Sequence, residues 1–267
     1  MAEPTRRRGR PRKDAPETSG TIQALDRALD ILDLLAANPG LTLSEVAEQM
    51  KQSPSTVHRV LHTLAARGVA ESDPATQTWH IGPATFRLGS AFMRRSGIVE
   101  RARPILRALM EHTGETANLG ILNGNAVLFV SQAETHETIR AFFPPGTRSP
   151  LHASGIGKAL LAFGRPETLR NLLDNSELPR FTDKTLTSPE ALQEDMTRIR
   201  ARGFSFDDEE RTRGMRCIAA PVFDLTGEAV AGLSVSGPTH RIGHEHVKTL
   251  GAAVASSAQE LTQALGG

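Results

Sequence analysis

The chain has 267 residues, 39% of them hydrophobic, and a formal net charge of only +1. This length suits one large or two ordinary domains, and the overall charge does not indicate a nucleic-acid partner. The single cysteine, Cys217, excludes a disulfide framework or a multi-cysteine zinc site within one chain. No apolar run approaches the ~20 residues that span a bilayer, and none follows the basic N-terminus, so we expect a cytoplasmic protein without a membrane partner.

The charge is concentrated at the N-terminus. Residues 1–13 carry six Arg or Lys against one acid. Because such a segment cannot bury a core, we predict a disordered basic tail over residues 1–20. Arg8 and Arg10 flank a glycine and have the form of a hook that enters a narrow minor groove. The alternative is a solvated tail with only salt-dependent affinity for phosphates.

Three short helical patterns follow the tail. Apolar residues recur at steps of three and four over residues 22–35. A second helix begins at Thr42 or Ser44, either of which can cap it. The third begins with Ser53 before a proline, whose missing N–H has no cost at the first helical position. Gly68 is a plausible end for that helix.

The pattern over residues 21–82 is typical of a winged helix-turn-helix. Only Lys51 and Gln52 connect the second and third helices, which forces the sharp crossing that this motif needs. Two short strands, at residues 69–71 and 78–81, form the hairpin of the wing. The sequence therefore predicts a DNA-binding domain here.

The third helix carries the candidate DNA contacts. One of its sides is aliphatic, and the other side and the cap carry hydroxyls, a guanidinium and imidazoles: Ser53, Ser55, Thr56, His58, Arg59 and His62. The N-terminal half of such a helix enters the major groove, so we expect these residues to contact base edges or phosphates. Two alternatives are a winged helix that binds a protein, and a metal shared by His58 and His62, which lacks an evident third ligand.

A basic helix at residues 83–98 is predicted to link this domain to a second one at residues 99–267. A basic connecting helix suits a dimer that spans DNA, and equally a solvated spacer. Beyond it, alternating patterns predict an α+β domain in which helices surround an antiparallel sheet. The predicted strands are 117–122, 126–131, 138–143, 204–206, 217–223 and 229–236, and the predicted helices are 98–113, 155–163, 166–174, 188–202 and 245–265.

The motif LHASGIGKALLA resembles part of a phosphate-binding loop. That loop needs a glycine where His152 stands and a serine or threonine where Ala159 stands, so nucleotide binding is not expected. The free N–H groups and the positive end of the helix dipole near Gly155 and Ile156 would still favour a small carboxylate. The alternative is a plain helix cap satisfied by water.

A second polar group is predicted on the sheet. If residues 224–227 close a hairpin, Cys217 falls opposite Ser234 with a register error of about two residues, and Ser236 shares their face. One carboxylate of the acidic run 207–210 could turn inward beside them. The alternative is an inert cysteine with serines bonded to the backbone.

Four stretches resemble the IclR family of transcriptional regulators: QALDRALDIL, STVHRVLHTLAARG, LHASGIGKALLA and GMRCIAAPVFDLTGEAVAGLSVSGP. The resemblance covers residues 20–265. It implies a winged helix, a linker helix and a GAF-like effector domain, assembled as homodimers or as dimer-of-dimers homotetramers on a pseudo-palindromic promoter site at the bacterial nucleoid. Within the family the chain most resembles the glyoxylate- and pyruvate-responsive branch, including regulators of β-hydroxyaspartate-cycle gene clusters.

The resemblance also implies an effector site. In that branch the effector carboxylate binds main-chain N–H groups, and an Asp, a Cys and two Ser add contacts; the matching positions here are Gly155, Ile156, Asp207, Cys217, Ser234 and Ser236. Ile156 departs from the alanine of typical glyoxylate binders, but the ligand binds its backbone. The implied effector is a small 2-oxo acid, above all glyoxylate, with no cofactor or metal. The alternative to a regulator is an enzyme with Cys217 as nucleophile and His152 as base.

Overall fold

We describe a computed structural model of the chain, which covers residues 22–38, 40–175 and 177–266, with the backbone alone at 93–96 and 175. The predicted tail at residues 1–20, with Arg8 and Arg10, lies outside the described residues. The chain divides after Arg94 into two compact units, each of which is described by itself.

The N-terminal unit is a small helical domain with a three-stranded antiparallel sheet in the order β1-β3-β2. Its elements are α1 (Gln23–Ala37), β1 (Leu41–Thr42), α2 (Leu43–Gln49), α3 (Pro54–Ala65), β2 (Ala70–Asp73) and β3 (Thr78–Ile81), followed by α4 (Pro83–Ser96). The core lies between the helices and the sheet and includes Ile31, Val57, Leu61 and Trp79. This arrangement confirms the predicted winged helix-turn-helix fold.

Local capping explains where the helices of this unit begin. Thr42, and not Ser44, caps α2: its hydroxyl accepts from the Glu45 amide at 3.3 Å, and the Glu45 carboxylate accepts from the Thr42 amide at 2.8 Å. The Ser53 hydroxyl accepts from the Thr56 amide at 3.3 Å, as expected for a cap before a proline. The two-residue strand β1 was not predicted, because two residues show no alternation.

The C-terminal unit is built on a six-stranded antiparallel sheet in the order β6-β5-β4-β9-β8-β7. Its elements are α5 (Ile98–Thr113), β4 (Thr116–Asn123), β5 (Ala126–Ala133), β6 (Arg148–Pro150), α6 (Gly155–Phe163), α7 (Pro166–Asn175), α8 (Pro189–Arg202), β7 (Ser205–Asp208), β8 (Met215–Phe223), β9 (Ala229–Pro238), a 3₁₀ turn (His244–His246) and α9 (Val247–Ala264). Helices surround this sheet, which confirms the predicted α+β class.

The prediction of a strand at residues 138–143 is wrong. In the structure this segment is irregular, and the edge of the sheet is formed by β6 instead. Ile139 is 64% exposed and Phe142 is 59% exposed, so the apolar residues there do not mark one buried face. Two prolines follow at 144 and 145, and a proline donates no hydrogen bond to a neighbouring strand.

Helix α6 packs on the face of the sheet formed by β4, β8 and β9. Its Ile156 side chain is 1% exposed and lies over Gly232 of β9, where an added Cβ would be only 2.8 Å from Ile156 Cγ2. A side chain at that position would therefore displace the helix. The first turn of α6 is held against the sheet in this way, and this contact positions the candidate site.

Candidate functional site

A small cavity of about 30 Å³ lies between the start of α6 and the sheet. Five of the six predicted effector residues line it: Gly155, Ile156, Asp207, Cys217 and Ser236. Ser234 is not on the cavity wall; it is fully buried, and its hydroxyl hydrogen-bonds the Cys217 sulfur. The fold thus brings together residues that are up to 81 positions apart in the sequence (155 to 236).

The start of α6 touches Cys217 because residue 155 is a glycine. A Cβ on Gly155 would lie 2.7 Å from Cys217 Sγ, well inside an ordinary contact. The Gly155 amide lies near that sulfur, where it favours the charged thiolate form. The Ser154 hydroxyl caps the helix by accepting from the Gly157 amide at 3.2 Å. The first amides of α6, which have no partner within a helix, therefore face the cavity and its thiol.

Three neighbouring strands place their polar side chains in one row. Asp207 of β7 pairs with Cys217 of β8, which pairs with Ser236 of β9. The predicted partner of Cys217 was Ser234, so the register differs by two residues, within the stated error. An irregularity between Val222 and Phe223 accompanies this shift. Because a shift of two residues keeps every side chain on its face, the predicted row survives.

Burial raises the pKa of both acidic groups of this row. Burial raises the pKa of Cys217 to about 11, and the Asp207 charge adds to that effect, whereas hydrogen bonds from the two serines and Gly155 oppose it. Burial also raises the pKa of Asp207 to about 6, against the attraction of Lys158. At neutral pH Cys217 is therefore a thiol that can donate a hydrogen bond.

This chemistry argues against the enzyme alternative. A cysteine nucleophile acts as its thiolate, and a pKa of about 11 leaves almost none at neutral pH. The base suggested from the sequence, His152, lies with Nε2 3.0 Å from the carbonyl oxygen of Pro179, and burial lowers its pKa.

Sequence reasoning missed a cation at the cavity. Arg211 lines it, and its guanidinium donates to Ser149 Oγ at 2.5 Å. Two stacked rings, Phe129 and Phe143, with centroids 5.0 Å apart, form an apolar part of the wall. Arg211 directly follows the acidic run of residues 207–210. A charged residue beside such a run is usually exposed to solvent, so nothing in the sequence placed Arg211 at the cavity.

Lys158 of α6 lies below the cavity and does not line it. Its ammonium donates to Glu210 Oε1 at 2.5 Å, to Asp195 Oδ2 at 2.9 Å and to the Phe206 carbonyl at 2.7 Å. The Glu210 amide in turn donates to Asp207 Oδ1 at 2.8 Å. One buried cation thus fixes the segment that carries Asp207 to the helix that carries the amides.

The candidate DNA-binding residues share the outer side of α3. Ser53, Ser55, His58, Arg59 and His62 are exposed, and Thr56 is half-buried. The His58 and His62 ring centroids lie 4.2 Å apart, and the His62 ring meets the edge of Trp79. Among the described residues no group of three His, Cys, Asp or Glu could hold a metal ion, so a metal at this pair has no support.

Both units match models of one protein family. Residues 24–74 match the IclR helix-turn-helix domain, and residues 90–263 match the bacterial transcriptional regulator IclR C-terminal domain. The chain belongs to the IclR family. It is 67% identical to the HTH-type transcriptional regulator BhcR of Paracoccus denitrificans, over 98% of this chain and 95% of the relative, and 38% identical to the transcriptional repressor IclR of Escherichia coli, over 99% and 97%.

A solved structure shows the same fold with a ligand. It is an IclR homologue from Microbacterium hydrocarbonoxydans in complex with 4-hydroxybenzoate, with a TM-score of 0.79 and 25% identity over 91% of this chain and 98% of that one. The chain is thus a transcriptional regulator of this family, and the regulator names of its relatives confirm the expectation that it is not an enzyme. In the described part of this IclR-family chain no helix is long and apolar enough to cross a bilayer.

Proposed function

We propose that the chain regulates transcription in response to a small 2-oxo acid, in the first place glyoxylate, bound in the cavity at the start of α6. The observation that carries this proposal is the convergence of the Gly155 helix start with Asp207, Cys217 and Ser236 on one cavity of about 30 Å³. The small size of this space favours an acid of few carbons over a larger ligand.

The two ends of such an acid find different partners. The carboxylate takes the amides of Gly155 and Ile156 at the positive end of the helix, with the Arg211 guanidinium on the same cavity wall. The oxo group takes hydrogen bonds from the Cys217 thiol and the Ser236 hydroxyl. Both of these groups can donate a hydrogen bond at neutral pH. The oxo oxygen of the acid can only accept hydrogen bonds, so it requires donors of this kind.

The DNA half of the proposal depends on α3. A homodimer, or a homotetramer built from two such dimers, places two copies of α3 in successive major grooves of a pseudo-palindromic promoter site. The effector regulates only if it binds the DNA-competent and DNA-incompetent states with different affinities. We propose a glyoxylate-handling gene cluster, such as that of the β-hydroxyaspartate cycle, as the target.

A thermal-shift and calorimetry panel tests the ligand. Glyoxylate is expected to raise the melting temperature most, pyruvate less, and acetate and 4-hydroxybenzoate least, because acetate lacks the oxo group and the aromatic acid exceeds the cavity. A larger stabilisation by acetate or 4-hydroxybenzoate than by glyoxylate would contradict the proposed effector class.

A gel shift tests the DNA partner and the protein-binding alternative. At moderate salt the chain is expected to bind upstream DNA in preference to a scrambled duplex, and glyoxylate is expected to change that binding. Equal binding to both duplexes would leave only unspecific phosphate affinity, which would favour a winged helix that binds protein.

A further inference from the structure

Asn118 connects the two serines of the effector site. It lies on β4 directly opposite Ser234 of β9, and it is 0% exposed. Its side-chain Nδ2 donates to Ser234 Oγ and to Ser236 Oγ, both at 3.4 Å. One amide group therefore engages both hydroxyls from the side remote from Cys217.

These contacts determine which way the hydroxyl hydrogens point. A serine hydroxyl has one hydrogen and two lone pairs, whereas an NH₂ group can only donate. When Asn118 occupies a lone pair on each serine, the hydrogens of Ser234 and Ser236 are free for other acceptors. Both hydroxyls lie near the Cys217 sulfur, and Ser236 also lines the cavity. The wall on the β9 side therefore presents donors.

The orientation of the Asn118 amide has its own support on the other side. Gln132 of β5 lies directly opposite Asn118, so the two side chains share a face. Within the part of the chain that the structure describes, Asn118 Oδ1 and Gln132 Nε2 are both buried without a hydrogen-bond partner. The two groups form no hydrogen bond, but the Gln132 donor on this face favours the arrangement with Asn118 Oδ1 toward β5 and Nδ2 toward the serines.

We propose that Asn118 is a positioning residue that makes the Ser236 hydroxyl a donor toward the effector, with Ser234 held in the same orientation behind it, and so selects a 2-oxo acid over the matching 2-hydroxy acid. An oxo oxygen only accepts, and this wall offers it only donors. A hydroxyl on the ligand that takes the place of the oxo group would bring a hydrogen that finds no acceptor on the β9 side of the cavity, since the Asp207 carboxylate lies on the β7 side, beyond Cys217. This inference rests on the proposed function.

The test compares dissociation constants for glyoxylate and glycolate in the full chain by calorimetry. Wild type is expected to prefer glyoxylate. Asn118→Asp keeps the shape but turns the group facing the serines into an acceptor, so their hydrogens rotate away from the ligand. The preference is expected to fall about tenfold, the effect of one misdirected hydrogen bond. Because both ligands are monoanions, the added charge changes both affinities alike and cancels in the ratio.

A second variant leaves Asn118 in place. Gln132→Glu puts an acceptor opposite the amide and draws Nδ2 away from the serines, so the same fall in preference is expected. This variant decides the matter if Asn118→Asp has no cooperative melting transition. Asn123→Asp, an exposed change on the same strand, is the matched control and should keep the wild-type ratio.

The two levels of the proposal fail in different ways. An unchanged glyoxylate-to-glycolate ratio in folded Asn118→Asp and Gln132→Glu would overturn the role of Asn118 and leave the effector site standing. A wild-type chain that binds neither acid would overturn the proposed function, and this inference with it.

Discussion

Replacing Gly155 by alanine tests whether the start of α6 and Cys217 form one ligand site. The new methyl carbon would lie 2.7 Å from Cys217 Sγ and 3.3 Å from the Ala219 methyl. Ordinary contacts begin near 3.5 Å, so the helix start must retreat from the sheet by a large part of an ångström. Overpacking of this kind costs about 1–3 kcal/mol of unfolding free energy.

The loss of affinity for the ligand is expected to be larger than the loss of folding stability suggests. A retreat of this size weakens the hydrogen bonds from the first amides of α6 to the effector carboxylate, each of which is worth about 1.5–3 kcal/mol. Losing one such bond weakens glyoxylate binding about tenfold to a hundredfold. Calorimetry gives the affinity, and urea unfolding gives the stability.

Two variants make the interpretation specific to Gly155. Gly89→Ala, on an exposed face of α4 with no atom within 4 Å, should leave glyoxylate binding unchanged. Adding Cys217→Ala to Gly155→Ala removes the clashing sulfur and should recover most of the lost stability, as a double-mutant cycle would show. Wild-type affinity for glyoxylate in Gly155→Ala would refute the assignment of the carboxylate to this helix start.

Three further predictions concern charge. Asp207 and Glu210 have pKa values raised by burial to about 6 and about 7, so the folded chain binds more protons than the unfolded chain between about pH 4 and 7. The unfolding free energy should therefore fall by several kcal/mol as pH rises through that window, at ~1.4 kcal/mol for each unit by which a pKa is raised, measured by urea unfolding at several pH values. Lys158→Met should lower the unfolding free energy by about 4 kcal/mol, because it leaves buried carboxylates unpaired. Arg59→Ala should weaken specific DNA binding by about 1–3 kcal/mol in a gel shift without changing glyoxylate affinity.

Each of these predictions has a control and a contrary outcome. Asp207→Asn combined with Glu210→Gln should flatten the pH dependence, and an unchanged slope would show that other groups cause it. Lys184→Met, which removes two largely exposed ion pairs, should lower the unfolding free energy by less than about 1 kcal/mol. A loss equal to that of Lys158→Met would show that the buried cluster has no special role in stability. If Arg59→Ala binds DNA as tightly as the wild type does, the Arg59 guanidinium does not contribute to the DNA interface.

The elements that were predicted correctly are those with local boundary signals. Helix α5 covers residues 98–113 as predicted and ends where Gly114 adopts a left-handed conformation, with φ of 71°. Helix α6 covers residues 155–163 as predicted, because Ser154 caps it. Such signals lie within a few residues of the boundary, so the sequence shows them directly.

The elements that were missed depend on distant parts of the chain. The three-residue strand β6 exists only because β5 pairs with it, and the β8–β9 register differs by two residues from the value that the turn alone predicts. Asn118 escaped notice for the same reason: its two serine partners are 116 and 118 residues away. Nothing beside it in the sequence marks it as part of a site.

Helix α6 connects the two parts of the proposed effector site. Its first residue offers an amide to the cavity, and its fourth, Lys158, holds the 206–210 segment through the Phe206 carbonyl and Glu210. An anion that docks on the helix start adds negative charge beside Asp207, so it favours the protonated form of that carboxyl group, whose pKa is already raised to about 6. Because Lys158 also acts on the Asp207 charge, the ligand charge, the Asp207 proton and the Lys158 ion pairs are electrostatically coupled through this one helix.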